Sequence, residues 1–166
     1  MKLFIKNKFV SVGGSSYVLD ENDNQVFRIK GKWLSPTKKK KIYDMDGNLL
    51  YVVRNKYWHF LKRTCFVSDA DKEKIMQIVY KKFAFKNDFF VQGYKDEISF
   101  TGKLLQFPNI NMTIQKNGEE IGTLVKNFTV ARDTYSLDVK KDNDAALFVA
   151  MTIAIDNIFD ARRKNW

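Results

Sequence analysis

Cysteine and histidine are almost missing from this chain of 166 residues: Cys65 and His59 each stand alone. A single thiol cannot close an internal disulfide, which fits a reducing cytoplasm. Its neighbours Thr64 and Phe66 read as strand, so Cys65 is expected to be a core thiol and not a nucleophile. One histidine without a nearby cysteine or paired carboxylates offers neither a metal site nor an acid–base pair. No G-x-S-x-G nucleophile turn and no G-x-x-x-x-G-K phosphate loop occurs. DENDNQ from Asp20 and DMDGNL from Asp44 alternate Asp and Asn as calcium loops do. However, Gln25 and Leu49 stand where such a loop needs Gly, and Gly31 and Asn55 where it needs Glu. They read as hairpin turns. The expectation is a non-enzymatic protein with no cofactor and no metal.

Long apolar runs are also scarce. The basic start MKLFIK breaks its apolar stretch at Lys6, short of the roughly 7–15 residues of a secretory signal, so none is expected. The longest run, Ala145–Ile155, would rise about 16 Å as a helix, whereas a membrane span needs about twenty residues. It is too short to cross. Thr152 is the one polar side chain in it, and a carboxylate placed there has no evident partner. A helix apolar on every side must be buried on every side.

Hydrophobic residues nevertheless make up 45% of the chain and aromatics 14%, enough for one substantial core. Self-similarity organises them. Units opening near Lys8, Lys32, Lys56, Lys82, Lys103 and Lys126 each carry a basic residue, a bulky apolar residue, a loop, then an alternating strand and turn residues. SYVLDENDNQVFRIKGK places Phe27 and Ile29 inward with Tyr17 and Leu19, and Arg28 and Lys30 outward. Asp46-Gly47 and Asn117-Gly118 are short-turn signals. Met112 and Ile114 share a face, and in DTYSLDVK Tyr135, Leu137 and Val139 point in. Pro36 and Pro108 fall at loop points where no ladder bond is lost.

Six hairpins make about twelve strands, over residues 2–141. A closed antiparallel sheet of that size is wider than its own side chains can fill. The C-terminal helix, about 143–160, is the available filler. It has Asp142, Asn143 and Asp144 for its N-cap, and Asp156 and Asp160 start a polar stripe where it would leave the barrel. The fold expected is mainly β, one domain over 1–166, a twelve-stranded barrel around a central hydrophobic helix.

DENDNQVFRIKGK, ARDTYSLDV and the closing DAALFVAMTIAIDNIFD resemble the LURP-one-related family over essentially the whole chain. That resemblance implies the same barrel and central helix, a fold similar to the tubby C-terminal domain and to phospholipid scramblases. It implies little about activity.

Twenty-nine Lys and Arg against nineteen Asp and Glu give a charge of +10, which favours anionic partners. The densest run is Lys38, Lys39, Lys40 and Lys41 in PTKKKKIY, with Lys30 and Lys32 before it and Arg54 and Lys56 after it. These eight are the candidate anion-binding residues. Lysines at matching repeat positions (Lys8, Lys32, Lys56, Lys82, Lys103) are expected to gather at one rim. Trp33, Tyr57 and Trp58 stand beside them. The leading expectation is a cytoplasmic protein, peripheral at the membrane, binding anionic lipid headgroups such as phosphoinositides. Nucleic-acid binding or a protein-interaction scaffold is the alternative, although no recognition helix is evident. The bland reading is a solvated basic surface.

Overall fold

The computed structural model of the chain describes residues 1–6, 15–31, 35–56, 64–83, 86–103, 109–127, 134–141 and 143–163. Alternation builds the wall. In Thr134–Val139, Tyr135, Leu137 and Val139 are buried, and so are Met112 and Ile114. The strands are β1 (Lys2–Lys6), β2 (Ser15–Leu19), β3 (Gln25–Gly31), β4 (Lys40–Tyr43), β5 (Leu49–Asn55) and β6 (Thr64–Ser68). There follow β7 (Lys74–Phe83), β8 (Lys86–Gln92), β9 (Ile98–Lys103), β10 (Asn109–Lys116), β11 (Glu119–Asn127), β12 (Thr134–Val139) and a helix, α1 (Ala145–Arg163). Each strand pairs antiparallel with the next in the chain. β1 also pairs with β12, from Lys2 opposite Asp138 to Lys6 opposite Thr134, which closes the barrel.

The lumen is filled by α1. Every residue from Ala146 to Phe159 is buried, so no side of the helix faces water along that length. Its nineteen residues span about 28 Å. Asp144 caps it, with Oδ1 accepting the Leu147 N–H at 3.0 Å. Phe148 packs against Phe100 of the wall, and Phe159 meets Phe89 edge-on at 5.3 Å. No described helix is long and apolar enough to cross a membrane.

Two details differ from the sequence reading. β2 presents Ser16 and Val18 inward, not Tyr17 and Leu19, because a bulge between Val18 and Leu19 pairs Leu19 with Gln25 and shifts the register. A one-residue slip of this kind exchanges the two faces. In addition, Asp156, read as the start of an exposed stripe, is inside the barrel at 3% exposure.

Three turns share one construction. Asp20, Asp44 and Asp69 each accept, through Oδ1, the backbone N–H of the residue four further on, at 2.8–2.9 Å. The fourth residue of each turn (Asp23, Gly47, Lys72) takes the left-handed conformation that closes it. The Asn24 and Asn48 side chains hold the Asp20 and Asp44 carboxyls below their ordinary 3.8, and Asn117 does the same for Asp96. A carboxyl depressed in the folded state stabilises above its unfolded pKa, and that contribution fades as pH falls through the folded value. Asp20→Ala with Asp44→Ala should therefore lower the melting temperature at neutral pH. Melts repeated at about pH 3 should show the gap to wild type narrowing.

Candidate functional site

Strict up-and-down connectivity sorts the chain into two rims. One rim carries the short turns at 20–24, 44–48, 69–73, 93–97 and 117–118, together with the start of α1. At the other rim β3 ends at Gly31, β5 at Asn55, β7 at Phe83 and β9 at Lys103. Among the described residues, every Asp and Glu except Asp88, Asp156 and Asp160 lies in those short turns, at the strand ends feeding them, or at the helix start. Short turns select Asp and Asn because those side chains bond their own backbone, so the acidic charge collects at the turn rim. The opposite rim is net basic, with Lys30, Lys38 to Lys41, Arg54, Lys56 and Lys81 against Asp88, Asp156 and Asp160. Lys2, Lys72, Lys74, Lys95, Lys116, Lys140 and Lys141 share the turn rim with about twice as many carboxylates. By backbone position Lys103 ends β9 at the basic rim, and Lys82 is the last residue but one of β7.

The eight candidate residues separate into distinct roles. Lys30 and Lys41 are opposite each other across β3 and β4, on the outward phase. The Lys30 ammonium lies 5.3 Å over the Tyr43 ring, and Arg28 shares that ring at 5.8 Å. Arg54 is exposed on β5, its guanidinium 5.9 Å over Phe66, and Lys56 is exposed just beyond the strand. These residues form an outward basic patch interleaved with aromatic faces. Lys39 is half-buried, and its backbone N–H donates to Ser35 Oγ. Lys32, like Lys8, Trp33, Tyr57, Trp58, His59 and Pro108, lies outside the described residues.

Lys38 and Lys40 turn the other way. Lys38 has a positive φ of 47° and its Nζ is 3.6 Å from Asp160. Asn157 Nδ2 donates to the Lys38 carbonyl at 3.1 Å. Lys40 is 7% exposed, and its Nζ reaches Asp156 Oδ2 at 3.2 Å inside the barrel. The lysine run is thus split: Lys38 and Lys40 fasten the β3–β4 segment to the last half of α1, while Lys41 faces out.

Asp156 also receives Lys126 Nζ at 3.4 Å and the Tyr135 hydroxyl at 2.7 Å on Oδ1. The Lys126 ammonium lies over the Tyr135 and Phe159 rings at 4.9 and 5.2 Å. Two lysines, a carboxylate and a phenol therefore form a buried cluster on the helix axis. Beside it is a cavity of about 10 Å³, room for one water, edged by Lys40, Tyr135, Thr152 and Asp156. Thr152 donates to the Phe148 carbonyl of its own helix at 2.9 Å, and with Lys40, Tyr135 and Asp156 around the same cavity its surroundings are more polar than the apolar run suggested. Cys65 is fully buried beside Asn157, and burial pushes its thiol up to about 12. It stays protonated and inert, as a core thiol should.

Sequence reasoning overlooked this cluster. The signal was a matter of phase: Lys126 shares the inward face of β11 with the buried Leu124, and Lys40 that of β4 with Ile42. Asp156 falls one turn beyond Thr152 on a helix with no wet face.

A family model described as LURP-one-related matches residues 1–156. The uncharacterised protein YxjI of Bacillus subtilis (strain 168) is 20% identical over 167 residues, covering 95% of this chain and 93% of that protein. No solved structure matches.

Proposed function

The chain belongs to the LURP-one-related family, and from that premise we propose that it is a peripheral, non-enzymatic domain that docks its basic rim on an anionic lipid surface at the cytoplasmic face of a membrane. The observation that carries this reading is the separation of charge between the rims. A surface attracting the Lys30–Lys41–Arg54–Lys56 patch repels the turn rim, so docking has one orientation. Each basic residue near an anionic leaflet contributes about 1 kcal/mol. Tyr43 and Phe66 hold the Lys30 and Arg54 head groups against ring faces, which limits the side-chain entropy lost on contact. Phosphoinositide headgroups, with several charges each, suit such a cluster best.

Co-sedimentation with phosphatidylcholine vesicles, with and without phosphatidylserine or a phosphoinositide, tests the proposal. Binding should require the anionic lipid and weaken as salt rises from about 0.05 M to about 0.5 M. Lys30→Glu, Lys41→Glu and Arg54→Glu together should reduce it at least about a hundredfold, the loss of about 3 kcal/mol, with an unchanged melting temperature. Equal binding to neutral vesicles, or an unaffected triple variant, would refute it. A gel shift on DNA without vesicle binding would assign the same patch to nucleic acid.

A further inference from the structure

The opposite rim has its own shape. A groove of about 440 Å³ opens there beside the first turn of α1, within the range of about 300–1,000 Å³ usual for binding sites. Its apolar lining includes Phe27, Leu49 and Leu50, and every charged residue lining it is acidic: Asp69, Asp71 and Asp144. Tyr51 also faces it and donates its hydroxyl to Asp144 Oδ2 at 2.8 Å. Burial raises the Tyr51 phenol pKa, and Asp144 adds to this, so the phenol keeps its proton and is the donor in that bond. The carboxylate is thereby fixed at the end of the groove.

The turn leading into Leu49 carries Met45, 49% exposed and, among the described residues, the exposed large apolar side chain of the molecule. Methionine is unbranched and adapts its shape to what covers it. An apolar floor, an adaptable methionine and carboxylates of one sign complement one chemistry: bulky aliphatic side chains alternating with lysine or arginine. We propose that this groove docks a basic amphipathic segment of a partner protein. Its apolar residues would seat on Phe27, Leu49 and Leu50, and its cations would meet Asp69 and Asp71. An anionic segment is repelled, and a small cation leaves the apolar floor uncovered. The proposal is independent of lipid docking, since the two surfaces occupy opposite rims.

The probe is a fluorescein-labelled amphipathic peptide of leucine and lysine, about fourteen residues or four helical turns long. Its anisotropy is read with the full chain at about 0.15 M salt. Asp71 is an exposed turn residue, so Asp71→Lys leaves the fold intact, and it should weaken the peptide at least about tenfold. Glu120→Lys changes the same rim by the same charge on β11, away from the groove, and should stay within about twofold. Replacing every leucine of the peptide by serine should abolish binding. The proposal fails if the serine peptide binds as well, if the two protein variants weaken binding equally, or if no binding occurs. Sedimentation showing a dimer that Asp71→Lys dissociates would also overturn it, giving the groove to a second copy of this chain.

Discussion

Asp156→Ala should lose about 3–5 kcal/mol of folding stability, read as a lower urea midpoint with an unchanged slope. The carboxylate holds two ammonium groups, Lys40 and Lys126, and a phenol in a closely packed barrel interior. Its removal leaves positive charge in a low-dielectric site, and that desolvation outweighs the methylene lost. Asp156→Asn should fall between Ala and wild type, since an amide oxygen still accepts from Tyr135 but carries no charge. The combination Asp156→Leu, Lys40→Met and Lys126→Met should recover most of the loss, because well-packed apolar replacements of buried ion clusters are often neutral or stabilising. A triple variant no more stable than Asp156→Ala would show that charge is not the reason. The Met-substituted barrel would lose the inward tie of Lys40, so the β3–β4 segment should gain amide exchange even where global stability returns.

Gly122→Ala should be about as damaging, for a reason of geometry alone. A Cβ there would collide with the Asp138 carbonyl oxygen and lie 2.9 Å from the Val139 Cα. Both obstacles are backbone, on the strand that closes the barrel, so no rotamer change relieves them. The pairing of Gly122 with Val139 ends the β11–β12 ladder. Forcing it apart moves the chain just before α1. A loss of about 3 kcal/mol or more is expected, at the top of the range for overpacking. Gly102→Ala is the comparison. Its nearest obstacles are the Asn111 carbonyl oxygen at 2.7 Å and the flexible Met112 side chain at 3.0 Å, so thermal melts should show a smaller drop.

Strand number, closure and the central helix were legible because each rests on a periodic signal. Period two fixed the phases of Tyr135, Leu137 and Val139. An apolar wheel with no wet side has few places to go. The β2 face was misread because a bulge changes register without changing composition. The lysine run was legible as charge but not as geometry: nothing local to PTKKKKIY says that Lys38 and Lys40 answer to carboxylates more than a hundred residues later. Segregation of charge between the rims was half legible. The repeat pointed to a basic rim, but the acidic rim appears only once the short turns are known to share one end.

The order of elements has a consequence in time. The helix that fills the barrel follows all twelve strands in the chain, so a ribosome delivers the wall before its core. Until α1 emerges, the strands have exposed inner faces and no filler to pack upon, and β1 waits for β12 to cover its edge. Such half-built sheets are prone to pair with the wrong neighbour. Productive closure of the barrel therefore waits for residues 145–163 to arrive. Chaperone demand should scale with the delay between β12 and the helix and not with the length of the chain.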